Sequence, residues 1–214
     1  MEPLISPTPD NWTHRRLGDL CLIHGGPSGS DLNAGDRDAE GIAVINTVDI
    51  SDGRVSDTPK TRISPEALRR LSRRYGLAVG DVLLARLSGR INHVIIGERE
   101  AGMLMGGSTI RIQVTVPARG VLLPIYLHCY LMHPTVLEFL GQQVKQGVQP
   151  SLTQSSLRNL PIALPPMDIQ REIAEVAQAF RNKIEAHERV AGLTRQLYKQ
   201  VVPQMVANEM TFRV

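Results

Sequence analysis

The sequence is poor in aromatic residues, in cysteine and in charge of one sign. Aromatic residues make up 4% of the 214 residues, so Leu, Val and Ile must build most of the core. The formal net charge is only +3, which excludes a uniformly basic surface and means that any basic surface is local. An apolar fraction of 42% and a charged fraction of 21% exclude a disordered chain.

Two cysteines, Cys21 and Cys129, lie far apart in the sequence and have no companion at metal-ligand spacing. We expect free thiols in a reducing compartment, with a disulfide between them left open as an alternative. The N-terminus lacks the basic and apolar regions of a signal peptide, and no segment approaches membrane-spanning length. These features favour a cytoplasmic protein.

Motifs of catalytic and nucleotide-binding sites are also missing. The glycine pairs Gly25-Gly26 and Gly106-Gly107 lack the strand and helix context of a nucleotide-binding loop, and no phosphate-loop lysine follows either pair. There is no nucleophile elbow, no histidine pair at zinc spacing and no methyltransferase tetrapeptide, and the six histidines are scattered. We therefore expect no catalytic residue, no metal and no cofactor on this chain, although an enzyme of an unfamiliar kind stays open.

A helix beginning at Ser64-Pro65 carries a cluster of arginines. Serine is a favoured N-cap and proline a favoured first helical residue, while leucines at helical spacing form the buried stripe. The opposite face contains Arg69, Arg70, Arg73 and Arg74. Guanidinium groups in a row can bind successive phosphates, although a solvated helix face explains the same pattern.

A second candidate site is a polar hairpin tip. An apolar strand beginning at Val82 runs into Arg86-Leu87-Ser88-Gly89-Arg90-Ile91-Asn92-His93 and returns through residues 94–96. Arginine, serine and asparagine side chains projecting from a turn are the donors and acceptors that read base edges in a DNA groove. Without other context the pattern indicates only a hairpin.

The remaining pattern predicts a mixture of strands and helices. Apolar runs and alternation predict strands at residues 41–45 and 109–114, a proline start predicts a helix at 124–140, and 157–164 fits a short helix followed by a strand. Polar, glycine-rich composition predicts loops at 28–40 and 147–155.

A long amphipathic helix is predicted from Asp168 to Val202. Its apolar residues recur with a period close to seven, which favours supercoiling against a partner helix. Lys183, His187 and Thr194 fall in the same seam, where polar residues either weaken the pairing or fix its register. The expected dimerisation residues are Ile173, Val176, Phe180, Ile184, Val190, Leu197 and Val201.

These motifs, in this order, resemble the target recognition domain of type I restriction-modification specificity subunits. The first set is Pro9-x-x-Trp12-x4-Leu17-Gly18-Asp19, Ile45-Asn46-x-x-Asp49-Ile50-x-x-Gly53 and Gly80-Asp81-Val82-Leu83-Leu84-Ala85-Arg86-x-x-Gly89. A second set resembles the end of such a domain and the start of its spacer helix: Gly147-Val148-Gln149-Pro150-Ser151-Leu152, Leu157-x-x-Leu160-Pro161-Ile162-x-Leu164-Pro165-Pro166 and Gln170-x-x-Ile173-Ala174.

The resemblance implies an α+β fold in which a mixed-sheet target recognition domain, residues 1–166, precedes a coiled-coil-type spacer helix, residues 167–214. Full-length members of the family have two such domains and two antiparallel helices, each domain reading half of an interrupted DNA site. This chain resembles a half-length subunit, for which a two-fold homodimer would supply the second half.

The resemblance also implies a non-catalytic subunit that directs methyltransferase and restriction subunits to double-stranded DNA, with S-adenosylmethionine bound by the methyltransferase. By residue type and position, the expected DNA contacts are Arg69, Arg73, Arg74, Arg86, Ser88, Arg90, Asn92, Gln149 and Ser151. The alternative is a recognition module of another phage-defence system, which recruits a nuclease or other effector.

Overall fold

The computed structural model describes residues 4–5, 7–28, 31–32, 36–85, 91–144 and 152–206. The chain divides into two compact units, Met1–Ala174 and Glu175–Val214. The first unit contains all of the described strands together with the shorter helices, and the described part of the second unit is the continuation of one long helix. The expected α+β class with a long C-terminal helix is confirmed.

Eleven strands and six α-helices are numbered here in chain order over the described residues. The strands are β1 Thr13–Arg16, β2 Cys21–Gly25, β3 Arg37–Ile45, β4 Ile50–Ser51, β5 Arg54–Val55, β6 Thr61–Ile63, β7 Val82–Ala85, β8 His93–Ile95, β9 Leu104–Met105, β10 Thr109–Val114 and β11 Pro161–Leu164. The helices are α1 Leu17–Leu20, α2 Pro65–Tyr75, α3 Pro124–Leu131, α4 Pro134–Gln142, α5 Gln154–Arg158 and α6 Met167–Val206.

The central sheet has four antiparallel strands in the order β2-β10-β7-β8. Its middle strand β10 alternates as expected, because Ile110 and Ile112 are fully buried in a core with α3 and α4, whereas Arg111 points to the other face. A three-stranded sheet, β6-β3-β9, combines antiparallel and parallel pairing and packs with α2 in a second core.

Two secondary-structure predictions are corrected. The loop predicted to end at Glu40 ends earlier, because β3 begins at Arg37 and reaches β6 across a bulge next to Gly41. The single helix predicted over 124–140 is two helices. Its break follows from Pro134, which begins α4, while His133 acts as N-cap and accepts a hydrogen bond from the Thr135 backbone N–H at 3.3 Å.

The expected start of α2 is confirmed in detail. Ser64 Oγ accepts a hydrogen bond from the Ala67 backbone N–H at 3.2 Å, and Pro65 is the first helical residue. Ala67, Leu71 and Tyr75 form the buried side of this helix.

Residues that carry the sequence motifs hold the scaffold together. Asp81 is buried, and it accepts hydrogen bonds from the Ala78 backbone N–H at 3.0 Å and from Gln113 Nε2 at 3.0 Å. Burial raises the pKa of this carboxyl group. The Asp49 carboxylate accepts a hydrogen bond from the Asn46 backbone N–H at 2.9 Å across a short 3₁₀ turn, as in a capping box.

Gln170 docks the first turn of α6 within the first unit. It is completely buried, and its Nε2 donates to the carbonyl groups of Val121 at 2.8 Å and Pro165 at 2.9 Å. Its Oε1 accepts from the Leu123 backbone N–H at 2.9 Å. The side-chain amide is therefore satisfied on both sides, as burial of a polar group requires.

Candidate functional site

Four strands of the central sheet end or begin at the same side of the sheet, and one of the segments that leave it there carries candidate residues. Here β2 ends at Gly25, β7 ends at Ala85, β8 begins at His93 and β10 begins at Thr109. The segments that follow or precede these residues therefore leave the sheet on the same side. We call this side the loop edge.

Close backbone contacts brace the loop edge. A Cβ atom on Gly26 would lie 1.8 Å from the carbonyl oxygen of Gly106, and one on Gly107 would lie 2.6 Å from that of Pro27. Thr47 Oγ1 also donates to the Ser108 carbonyl at 2.9 Å. The two glycine pairs noted in the sequence thus let two loops pack against each other, with no room for side chains.

Several expected DNA contacts lie outside the described residues. These are Arg86, Ser88 and Arg90 in the hairpin tip and Gln149 and Ser151 in the later loop. The described residues nearest to each segment lie at the loop edge. Ala85, which precedes the first segment, ends β7 there. Gln154, which follows the second, has its Nε2 atom 2.9 Å from where a Cβ atom on Gly25 would be.

Asn92 stands at the loop edge immediately before β8. Its backbone carbonyl accepts from the Ala85 N–H at 2.8 Å, which closes the base of the hairpin. Its side-chain Nδ2 donates to the Ile50 carbonyl at 3.4 Å. This long hydrogen bond ties the amide to the adjacent β4 turn while leaving the side chain half-buried.

A buried histidine pair supports the same end of β8. The Nδ1 atoms of His93 and His128 lie 3.1 Å apart, so one ring donates and the other accepts. Burial lowers the pKa of His93 to about 4, which keeps that imidazole neutral near neutral pH. The pair therefore forms a buried hydrogen-bonded link between β8 and α3.

The arginines of α2 divide into two groups. Arg70 is held internally, because it forms an ion pair with Asp36 at 2.7 Å and donates to the Asp31 carbonyl at 3.2 Å. Arg69 and Arg73 are exposed, and no ion-pair partner for either is found in the described parts of the chain. Arg74 lies over the Tyr75 ring, 5.2 Å from its centroid.

Arg111 fixes the C-terminal end of this arginine helix. Its guanidinium group is buried and donates to the carbonyl of Gly76 and, at 3.3 Å, to that of Arg74. The Asp81 carboxylate lies 3.9 Å from Arg111 Nε. A cation at a helix C-terminus satisfies carbonyl groups that have no partner within the helix.

A separate cavity of about 400 Å³ lies against β3. It contains two arginines, but both are engaged by the protein. Arg62 donates to the Gly41 carbonyl at 2.8 Å, while Arg99 pairs with Asp57 and with Glu100 and also donates to the Val55 carbonyl. This cavity therefore has less to offer an anion than the exposed arginines of α2.

No group of three or more possible metal ligands occurs among the residues whose positions the structure gives. Over the same residues, no helix is long and apolar enough to cross a membrane.

The second unit exposes an apolar stripe along α6. Phe180 is 64% exposed and Leu197 is 58% exposed, values far above those of core residues. Thr194 Oγ1 donates to the Val190 carbonyl at 2.9 Å, so its hydroxyl group is satisfied within the helix. Ile173 belongs to the first unit, where it is half-buried against the core. The other exposed large apolar residues of α6 in this unit are Val176, Ile184, Val190, Leu193, Tyr198, Met205 and Val206.

Comparison with known proteins identifies a family. Residues 9–193 match the type I restriction modification DNA specificity domain. The MjaX specificity subunit of Methanocaldococcus jannaschii is 27% identical over 184 residues, which cover 84% of this chain and 42% of that protein. The EcoBI specificity subunit of Escherichia coli is 25% identical over 197 residues, covering 88% of this chain and 40% of that protein.

The fold is also found in a solved structure. The S subunit of a type I restriction-modification system from M. genitalium aligns with a TM-score of 0.63 at 16% identity, covering 95% of this chain and 48% of the other. This similarity concerns the fold. The chain spans less than half the length of the relatives that it matches.

Proposed function

The chain belongs to the family of type I restriction-modification DNA specificity domains, and we propose that it recognises a specific sequence in double-stranded DNA. In this proposal it is a non-catalytic cytoplasmic subunit that directs methyltransferase and restriction subunits to one bipartite site. S-adenosylmethionine binds the methyltransferase partner, and restriction serves defence against phage.

The observation that carries the proposal is the loop edge, where four strands end or begin together and from which the segment with most of the expected base contacts leaves the sheet. Base-edge readout needs hydrogen-bond donors and acceptors, and the side chains of Arg86, Ser88, Arg90 and Asn92 are of these types. Phosphate contacts need exposed cations, which Arg69, Arg73 and Arg74 supply. Gln149 and Ser151, which precede α5 in the sequence, complete the proposed set.

A methyl-transfer assay tests this function and its alternative. The chain, mixed with a methyltransferase subunit and S-adenosylmethionine, should confine methylation of duplex DNA to one bipartite sequence, and the chain alone should transfer no methyl group. Methylation that ignores sequence would contradict the proposal. Sequence-directed cleavage with a co-purifying nuclease, in the absence of any methyltransferase, would favour the effector-recruiting alternative.

We further propose that two copies of the chain pair through the apolar stripe of α6. A helix of 40 residues extends about 60 Å, long enough to separate two reading domains by a helical turn of DNA or more. Exposed apolar side chains repeated along one helix face are those that a second helix buries.

The seam favours antiparallel pairing. In a parallel homodimer, Lys183 would face its own copy, and like charges in contact are destabilising. In an antiparallel pair with its axis between Glu188 and Arg189, Lys183 faces Thr194 and Phe180 faces Leu197.

In the antiparallel register, large side chains beside this seam lie next to small ones. The large side chain of Ile184 lies beside Ala191, and that of Tyr198 beside Ala177. Alternation of large and small side chains fills space without strain.

Single-cysteine variants test the register. In a background lacking Cys21 and Cys129, Phe180→Cys and Leu197→Cys should each resist crosslinking alone, because identical positions are about 25 Å apart in an antiparallel pair. Mixing the two proteins should give crosslinked heterodimers with a short thiol linker, measured on denaturing gels. Efficient crosslinking of either variant alone would show a parallel pair and overturn the register.

A further inference from the structure

We propose that His24, Arg74 and Arg158 form a subsite for one backbone phosphate of the bound DNA, beside the loop edge. This inference rests on the proposed DNA recognition and adds two residues, His24 and Arg158, that the sequence motifs do not single out. The three side chains come from β2, α2 and α5, and we call them the His24 cluster.

His24 occupies an uncovered strip of the central sheet. It lies directly opposite Arg111 in the β2–β10 pair, so the two side chains share one face. On that face the β7 residue Leu83 is buried under the second core, whereas His24 and Leu22 on β2 are exposed. The imidazole is therefore open to solvent one residue before β2 ends at the loop edge.

Arg158 flanks His24 from the side of α5. Its Nη2 donates to the Ile23 carbonyl at 3.4 Å and to Gln154 Oε1 at 3.2 Å. Both acceptors are uncharged, so the guanidinium charge is positioned without being neutralised by them. The side chain is anchored over Gly18, where a Cβ atom would meet Arg158 Cβ at 3.0 Å.

Arg74 flanks His24 from the side of α2. Arg111 holds the Arg74 backbone carbonyl, which ties the end of α2 to the strand opposite His24. The carboxylate that interacts with Arg74 is Asp31, and its Oδ2 already accepts from Ser28 at 2.7 Å and from Tyr75 Oη at 3.1 Å. The guanidinium group of Arg74 is exposed and can turn towards a phosphate.

Partial burial and three positively charged side chains lower the pKa of His24. Although the residue is exposed, partial burial lowers the pKa of His24, and the positive charges of Arg111, Arg158 and Arg74 lower it further. These are the charged groups that face the imidazole from β10, α5 and α2. A phosphate in their midst offsets part of this positive field and raises the pKa of His24, so binding of DNA favours proton uptake at His24.

Salt dependence of DNA binding tests the subsite. Arg158→Gln and Arg74→Gln should each weaken binding to all duplex sequences alike and reduce the magnitude of the salt slope, by about 1 when both are replaced, because the cluster binds one phosphate. The matched control is Arg119→Gln, because Arg119 is exposed beyond the opposite end of β10 and should leave the slope unchanged.

Proton linkage supplies a second readout. Affinity of the wild-type chain for one duplex should rise as the pH falls through the ordinary pKa of histidine, about 6.5, and His24→Gln should flatten that dependence. If the wild-type chain binds DNA but the arginine variants keep its salt slope and His24→Gln keeps its pH dependence, the subsite is wrong while recognition stands. If the wild-type chain with its partners binds no duplex, recognition itself fails.

Discussion

Phe180→Asp combined with Leu197→Asp should convert paired copies into monomers. In the proposed register the two positions face each other, so each end of the seam would bury two carboxylates in place of two large apolar side chains. Both positions are more than half exposed in the single chain, so its fold should be unaffected. Light scattering should therefore show half the wild-type mass.

The monomeric seam variant should also bind DNA more weakly than the wild-type chain. Two linked reading domains bind a bipartite site with an effective concentration set by their connection, and losing that link should cost about 100-fold or more in affinity. Asn182→Asp with Gln196→Asp is the matched control, because both positions are exposed on the same helix outside the seam. An unchanged mass for the seam variant, or equal dissociation of the control, would show that this stripe is not the interface.

Gly26→Ala should destabilise the first unit and disrupt the loop edge. The added Cβ atom would lie 1.8 Å from the Gly106 carbonyl oxygen and 3.1 Å from the Gly107 Cα atom. Both obstacles are backbone, which cannot rotate away as a side chain can, so the two loops must separate. We expect a loss of about 3 kcal/mol in the free energy of unfolding.

The control for this substitution is Gly120→Ala, because nothing lies within 4 Å of the added atom and the glycine lies at the far end of β10. Urea unfolding should give a near wild-type midpoint for Gly120→Ala and a much lower one for Gly26→Ala. DNA affinity of any folded Gly26→Ala should also be reduced. Equal midpoints would mean that the two loops do not pack as described.

Local signals in the sequence predicted local structure well. Ser64-Pro65 starts α2 where expected because capping depends on neighbouring residues alone. The long helix was predicted for the same reason, since a repeat is visible without knowledge of the fold. The prediction of one helix over 124–140 was wrong because apolar residues continue on both sides of Pro134, which begins a second helix.

Long-range pairing could not be read from local pattern. The antiparallel pairing of β1 with β11 joins residues near the two ends of the first unit, and no short motif encodes it. The loop edge likewise exists only because four strands end or begin together. His24 becomes a candidate phosphate contact only because it pairs with Arg111 across the sheet, and the sequence does not show that pairing.

The motifs that carried the family resemblance report mainly on the scaffold. Asp81, Asn46 and Gln170 are engaged in buried or half-buried hydrogen bonds that fix turns and the start of α6. A scaffold needs these residue types whatever sequence is read, whereas the residues that face DNA must vary with the target. The resemblance therefore predicts the family better than it predicts individual contacts.

Selection of duplexes from a randomised library tests the central claim most directly. The chain, with its methyltransferase partner, should enrich one bipartite site made of two identical half-sites in inverted orientation, separated by a constant spacer, because a two-fold pair of reading domains imposes that symmetry. Enrichment of no sequence, or of a single undivided motif without inverted symmetry, would contradict the account.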